Sequence, residues 1–287
     1  MSTTLQHAID QTLADLKALR RGMGPYPLAS ATKFRELQQL AQKARETPKP
    51  VPAPTAAVVS RLETPAFRAQ EAAPSLATTL ERYQTLDELR AAALACVKCE
   101  HLVASRTQVV FGVGNPNADI MFVGEAPGAE EDQQGEPFVG RAGQLLTKII
   151  QAMGLSRDEV YIGNVLKCRP DMPKGSTGNR KPRAEEMETC LPWLERQIEL
   201  VKPKALVALG ATAVEGLLGE TSSMSSLRGR WLEFRGIPVM VTYHPAYLLR
   251  NQTISEKRKV WEDMLKVMEK LDLPISEKQR RFFTSAA

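Results

Sequence analysis

From about residue 84 the chain alternates short, wholly apolar runs with longer amphipathic ones, and that alternation leaves few folds open. Gln108–Phe111, Ala118–Gly124, Val160–Val165, Ala205–Leu209 and Pro238–Thr242 read as strands. Leu86–Ala95, Ala142–Met153, Ala184–Leu200, Ala211–Leu218 and Ser255–Leu271 read as helices. Strands that are apolar on both faces and separated by helices make a mostly parallel sheet covered on both sides. The expected fold is α/β: a three-layer αβα sandwich around a short central sheet. Ligands of such sheets bind beyond the carboxyl ends of the strands. Gly124–Gly128, Asn164 and His244 all fall there, so three turns converge on one edge.

The segment before this pattern differs in kind. Leu5, Ile9, Leu13, Leu16, Leu19 and Met23 fall at helical spacing, and six prolines punctuate residues 47–75. Residues 1–75 are expected to be an N-terminal extension, partly helical, Pro-rich and largely disordered, and open to a protein partner. Residues 76–272 form the main domain and 273–287 a C-terminal tail. The net charge of +5 is uneven: residues 1–75 carry ten Lys/Arg against six Asp/Glu, the remainder twenty-eight against twenty-seven. Local basic clusters stand out in the second part. Lys167, Arg169, Lys174, Arg180, Lys181 and Arg183 face only Asp171, and Arg250 and Lys257–Lys259 form a second group. Such clusters suit a polyanion. No apolar run approaches the roughly 18–20 residues of a membrane span. With no basic-then-apolar leader at the N-terminus, the reading is cytoplasmic.

Four cysteines occur, as Cys96-Val-Lys-Cys99, Cys168 and Cys190. In a reducing compartment a CxxC with two further cysteines marks metal ligands rather than disulfides. Four thiolates suit an iron–sulfur cluster or a tetrahedral zinc. The first pair follows a helical run and is expected to precede a β-hairpin. The polar turns lie outside the cysteine set, so the metal is expected to be separate from the chemistry.

Several segments carry a resemblance. They are Gly124-Glu-Ala-Pro-Gly-Ala-Glu-Glu-Asp132, Gly135-Glu-Pro-Phe-Val-Gly-Arg-Ala-Gly-Gln-Leu-Leu146, Gly163-Asn-Val-Leu-Lys-Cys-Arg-Pro170 and Thr242-Tyr-His-Pro-Ala-Tyr-Leu-Leu-Arg250. In this order, with all four cysteines placed, the chain over residues 84–272 resembles the iron–sulfur uracil-DNA glycosylases of family 4. The segment 171–179 looks like an insertion relative to that family. A covalent-adduct branch uses an extra histidine in an inserted basic loop, but this chain has only His7, His101 and His244, none within 167–190.

The resemblance implies a base-excision-repair enzyme that flips uracil out of single- or double-stranded DNA and hydrolyses its N-glycosidic bond. It implies a [4Fe–4S] cluster on Cys96, Cys99, Cys168 and Cys190, and a monomer associated with the nucleoid. Phe138 would stack on the pyrimidine, and the Asn164 amide would read N3–H and O4, rejecting cytosine. His244 would stabilise the departing uracil anion as a neutral donor. Gly124, Ala126 and Gly128 would shape the pocket. Glu125 would contact uracil or position the water, its alternative being a structural carboxylate. Glu131 would exclude the thymine methyl, or else be a surface acid. DNA contacts are expected from Arg141, Arg180, Lys181 and Arg250. Leu248 would fill the gap left by the flipped base, or else be a buried leucine at a helix start.

Overall fold

A computed structural model describes residues 80–173, 176 and 178–284 of the chain. The expected helix over 4–23, the Pro-rich stretch over 47–75 and the arm they compose lie outside the described residues. In chain order the elements are α1 (Leu86–Leu94), α2 (Glu100–Val103), β1 (Val113–Gly114), β2 (Ile120–Gly124), α3 (Ala129–Gln134), α4 (Arg141–Ala152), β3 (Tyr161–Asn164) and α5 (Ala184–Val201). There follow β4 (Ala205–Leu209), α6 (Ala211–Leu218), α7 (Met224–Leu227), β5 (Trp231–Phe234), β6 (Ile237–Thr242), α8 (Pro245–Arg250), α9 (Ile254–Lys270) and α10 (Glu277–Arg280).

The six strands form one sheet in the order β1-β3-β2-β4-β6-β5. The inner four are parallel, while β1 and β5 close the two edges antiparallel. Alternate residues of each inner strand serve opposite layers, as the two-residue strand period requires. Met121, Val123, Leu206, Ala208, Val239 and Val241 pack under α5 and α6 with Leu194, Ile198, Val214 and Leu217. Ile120, Phe122, Ile162, Val207, Leu209 and Met240 pack on the other face, with Leu146 and Ile150 of α4 and Trp261, Met264 and Val267 of α9. The three-layer αβα sandwich is the fold.

Local details depart from the sequence reading. The run 108–111 is buried from Val109 onward but is not a strand. Its Val110 N–H reaches the Lys167 carbonyl at 2.8 Å, after which Gly112 (φ 148°) and Gly114 (φ 120°) bend the chain so that Val113–Gly114 alone pairs with β3. The cysteine pair is followed by the short helix α2, whose N-cap is Cys99 itself, and not by a hairpin. The unforeseen β5 joins β6 through Arg235 and Gly236, at φ 49° and 82°. Two successive left-handed residues are what a two-residue primed hairpin turn demands. The expected tail is part of the domain: Leu273, Ile275 and Phe282 pack on the α4/α9 layer. The Trp261 indole donates to the Gln279 carbonyl at 2.7 Å, and the Gln279 amide donates to Ala152 O at 2.9 Å. No helix among the described residues is long and apolar enough to cross a membrane.

Candidate active site at the carboxyl edge of the sheet

Four neighbouring strands end side by side, and each end contributes to one site. Gly124 closes β2 and pairs with Asn164, which closes β3. The pairing continues past both ends, with Val165 N–H donating to Gly124 O and Leu166 N–H to Glu125 O, each at 3.0 Å. On the other side β4 ends at Leu209, opposite Thr242 of β6. Gly210 follows with φ 90°, and a β-carbon there would stand 2.9 Å from the His244 Cβ. The strand order thus lays Asn164, Gly124, Gly210 and His244 along one edge.

Phe138 reaches the same place from the turn before α4. Its ring covers Gly124 so closely that a β-carbon on Gly124 would lie 2.5 Å from Phe138 Cζ and would overlap the Asn164 carbonyl oxygen as well. Glycine at 124 is therefore dictated by what packs on it. Ring centroids of Phe138 and His244 are 5.6 Å apart, tilted by 32°. Asn164 is 2% exposed, and its side-chain Oδ1 is buried without a hydrogen-bond partner among the described residues. Leaving a buried acceptor unpaired costs on the order of 1–3 kcal/mol. Such a group at the carboxyl ends of the strands points to a ligand donor. The main chain beside it is anchored: Lys167 Nζ donates to Asn164 O at 2.8 Å and to Gln197 Oε1 at 2.5 Å, and Gln197 in turn donates to Phe111 O and the Tyr161 hydroxyl.

His244 caps the N-terminus of α8. Its Nδ1 accepts the Ala246 N–H at 3.1 Å, which leaves the ring proton on Nε2. Burial, reinforced by the positive charge of Arg250, lowers its pKa from 6.5 to about 4. The imidazole is neutral at physiological pH and free to donate through Nε2. The turn it sits on is fixed from behind by Asp263 of α9, which is fully buried. Thr242 Oγ1 donates to Asp263 Oδ2 at 2.7 Å and Arg228 Nη1 to Oδ1 at 3.0 Å. Burial raises the Asp263 carboxyl to about 6 against these partners.

The carboxylates of the first motif take other positions. Glu131 accepts three backbone N–H groups, from Gly128 at 3.1 Å, Val139 at 3.1 Å and Gly140 at 3.0 Å. It is neither an idle surface acid nor a free group: it ties the turn after β2 to the turn carrying Phe138. Glu125 lies beside Thr212, Lys181 and Glu215. Burial raises its pKa, opposed by Thr212 and Lys181. Ala126 packs against the cluster of residues around the cysteines. Asn179, from the inserted loop, brings its amide nitrogen within 3.1 Å of where a Gly128 side chain would begin.

Two of the residues expected at the DNA, and the expected wedge, are engaged within the domain. Arg180 is engaged by two carboxylates, Asp171 and the buried Glu186, the latter at 2.6 Å. His101 Nε2 meets the same Glu186 at 2.7 Å. Burial alone would raise the Glu186 carboxyl, but Arg180, the Arg183 amide and His101 outweigh it and hold it at about 2. Arg180 is therefore a clasp between the loop and α5 and not a free cation. Lys181 is exposed but ion-paired with Glu215. Leu248 is 4% exposed, a core side chain of α8 and not a presented wedge. Arg141 and Arg250 are exposed as expected.

Sequence reasoning missed Arg157 and Gly143, both of which act on the Phe138 turn. Arg157 Nη2 donates to Pro137 O at 2.9 Å and Nη1 to Phe138 O at 3.1 Å. A β-carbon on Gly143 would overlap the Phe138 carbonyl. Partners that are backbone carbonyls leave no mark in a sequence. The positive φ of Phe138 (55°) is equally silent there.

The cysteines form a second locus. Cys96, Cys99, Cys168 and Cys190 line one cavity with Lys98, Arg106, Leu166, Thr189 and Trp193. Arg106 donates to Cys168 Sγ at 2.9 Å and to Cys96 O at 2.7 Å, and the Lys167 N–H donates to Cys190 Sγ at 3.2 Å. Burial pushes the Cys190 thiol up to about 12 and raises Cys168 and Cys99 too.

A parallel-sheet edge that holds an unpaired buried amide oxygen, an aromatic face and a neutral imidazole donor defines a site for a planar heterocycle with an N–H to give. The profile of the Uracil DNA glycosylase superfamily matches residues 111–265. The chain is 46% identical over 173 residues to a type-4 uracil-DNA glycosylase of Thermotoga maritima, covering 60% of this chain and 86% of that one. It is 42% identical over 196 residues to the type-4 enzyme of Sulfurisphaera tokodaii (65% and 84%) and 41% over 182 residues to that of Archaeoglobus fulgidus (61% and 88%). The chain belongs to the uracil-DNA glycosylase superfamily, and within it to the type-4 enzymes. It is a DNA-repair hydrolase of N-glycosyl bonds that removes uracil from DNA.

Proposed function

We propose that Asn164, Phe138 and His244 perform this activity on a uracil rotated out of the DNA stack. The observation that carries the reading is the buried, unpartnered Asn164 Oδ1 beside the Phe138 ring. Uracil N3–H donates to that oxygen and its O4 accepts from the amide nitrogen. Cytosine offers an acceptor at N3 and a donor at C4, so both amide groups would stay unsatisfied, a mismatch that costs several kcal/mol in a buried site. Phe138 supplies the stacking face, worth about 1–3 kcal/mol. Glu131 holds the turns on either side of the pocket in register through its three amides. Cleavage of the glycosidic bond leaves negative charge on the departing base. His244 Nε2–H is the donor for O2, pre-aligned by the Nδ1 bond to Ala246 and needing no proton transfer. Arg141 and Arg250 are the exposed cations for phosphate. Glu125, whose carboxyl burial raises against the pull of Thr212 and Lys181, is the carboxylate of the first motif that contacts uracil or positions the water.

The four cysteines fit a [4Fe–4S] cluster. They line one cavity, and two of the sulfurs accept N–H bonds of the kind that support cluster thiolates. A zinc S4 site, with Zn–S near 2.3 Å, needs sulfurs about 3.8 Å apart. Among the described residues no three of the cysteine sulfurs fall within 4.8 Å of one another, as the donors of His101, Asp171 and Glu186 do. A cluster there would cross-link the α1–α2 turn, the segment after β3 and α5, a structural role remote from bond cleavage. The enzyme acts as a monomer at the nucleoid, and residues 1–75 add DNA affinity or a partner contact and are dispensable for the reaction itself.

Asn164→Asp tests the base reading on uracil- and cytosine-containing oligonucleotides, followed by alkaline cleavage at abasic sites. Uracil excision falls by at least tenfold and cytosine excision becomes measurable. Unchanged uracil turnover in Asn164→Ala would place recognition elsewhere.

A further inference from the structure

We propose that Arg157 is a positioning residue for base stacking, acting through the backbone of Phe138. The inference rests on the reading of Phe138 as the stacking face. Phe138 holds φ 55°, a region in which the β-carbon of an L-residue is crowded and which bulky side chains rarely occupy. That conformation aims the ring: it lays Phe138 across Gly124 next to Asn164 and His244. A residue held in so unfavourable a region needs its surroundings to enforce it.

The two peptide planes that flank the Phe138 Cα set its φ and ψ, and Arg157 holds both. One guanidinium nitrogen takes the Pro137 carbonyl at 2.9 Å, the other the Phe138 carbonyl at 3.1 Å. The second nitrogen also reaches Thr147 Oγ1 at 3.3 Å, and Thr147 donates to Gly143 O at 3.1 Å, so the clamp is braced on α4. Gly143 supplies the space in which the Phe138 carbonyl turns toward the guanidinium. Glu131 holds the second of these planes too, through the Val139 N–H, and the Gly140 N–H beyond it, but does not touch the Pro137–Phe138 plane, which Arg157 holds through the Pro137 carbonyl. No carboxylate lies within ion-pair distance of Arg157 among the described residues. The forked geometry is what spans two carbonyls, and a lysine ammonium has no equivalent. Without the clamp Phe138 relaxes to negative φ and its ring leaves the pocket wall.

The test uses the full chain with Arg157→Ala, Arg157→Lys, Phe138→Ala and the Arg157→Ala/Phe138→Ala pair. Free uracil as inhibitor, single-turnover excision at saturating enzyme and the thermal midpoint are measured for each. Displacing a positioned group by about 1 Å typically costs on the order of 10²-fold. Arg157→Ala and Arg157→Lys are expected to weaken free-uracil inhibition and slow excision by about that factor. The double variant is expected to be no worse than Phe138→Ala, because both changes remove one interaction. Guanidinium ion at millimolar concentration restores part of the rate to Arg157→Ala and none to the double variant. If Arg157→Ala is insoluble, Arg157→Lys, which keeps the charge and the stem, carries the test. The inference is overturned if uracil inhibition is weakened in Phe138→Ala but unchanged in both Arg157 variants. It is also overturned if the losses multiply in the pair, or if the Arg157 variants lose only salt-dependent DNA affinity. Unchanged uracil inhibition in Phe138→Ala itself removes the stacking reading, and the inference with it.

Discussion

His244 offers the sharpest test of how the bond is broken, because its protonation state is fixed by two independent features. The Nδ1 bond to Ala246 N–H assigns the tautomer, and burial with Arg250 nearby holds the pKa at about 4. A neutral Nε2–H donor works equally well at every pH above about 5. The single-turnover rate should therefore be flat from pH 5 to 8 as far as this group is concerned, whereas a general acid with an ordinary histidine pKa would gain activity toward pH 6. Removing one preorganised donor costs about 10²–10³ in rate, roughly 3–4 kcal/mol. His244→Ala should show that loss at saturating enzyme with DNA affinity little changed, together with about 1 kcal/mol of stability from the lost cap on α8. The pKa also sets a stability window. Between pH 6.5 and about 4 the unfolded chain binds the proton that the folded chain refuses, so stability contributed above pH 6.5 is lost as the pH falls through that range. The fall is about 3 kcal/mol. Asp263, raised to about 6, titrates in the opposite sense in an overlapping window, so the difference between wild type and His244→Gln isolates the histidine. An excision rate that rises toward acid with a midpoint near 6.5, absent in His244→Gln, would refute the neutral-donor argument.

Three further outcomes follow from the same geometry. Cys168→Ser should lower iron content, absorbance near 400 nm (an order-of-magnitude guide for a Cys-ligated cluster) and soluble yield together, and full iron occupancy in that variant would remove Cys168 from the ligand set. Arg180→Ala should destabilise the domain by about 1–3 kcal/mol, since it removes the charged partner of the buried Glu186 and leaves it only His101 and the Arg183 amide, while leaving the salt dependence of DNA binding nearly unchanged. A reduced salt slope would restore Arg180 to the DNA contacts. A chain beginning at residue 76 should keep its single-turnover rate at saturating DNA and lose some affinity at low salt. Loss of the rate itself would bring the arm into the catalytic fold.

The sheet was legible because its inner strands are buried on both faces and so appear as uninterrupted apolar runs; β4 and α6 were readable to the residue. The same rule misled at 108–111, where burial beneath the cysteine region makes an apolar run without a ladder. It missed β5, a four-residue edge strand in which Glu233 interrupts Trp231, Leu232 and Phe234 and whose turn is Arg235-Gly236 in place of the usual Asn-Gly. Site residues at strand ends could be read because topology places them together whatever their side chains do. Charges were the weak point. Arg180 and Arg141 look alike in a sequence, yet one meets carboxylates nine residues before it and six after, and the other meets solvent. Leu248 likewise has a sequence position that fits a wedge and a burial that fits a core.

The three residues proposed for recognition and chemistry share one construction: each side chain is set by a backbone device next to it. Asn164 is fixed by strand pairing to Gly124 and by Lys167 on its carbonyl. His244 is fixed by its own cap bond and by Asp263 behind Thr242. Phe138 is fixed by Arg157 and Glu131 on either side of its peptide planes. None of these supports lies in the cysteine cavity except through Lys167, whose N–H meets Cys190 Sγ while its ammonium meets Asn164. Loss of the proposed cluster should therefore reach base discrimination first, through Asn164, and the His244 donor last. Activity on uracil that declines with iron content while the pH profile keeps its shape would bear that order out. A profile that shifts in step with iron loss would mean that the two loci are coupled by a route other than Lys167.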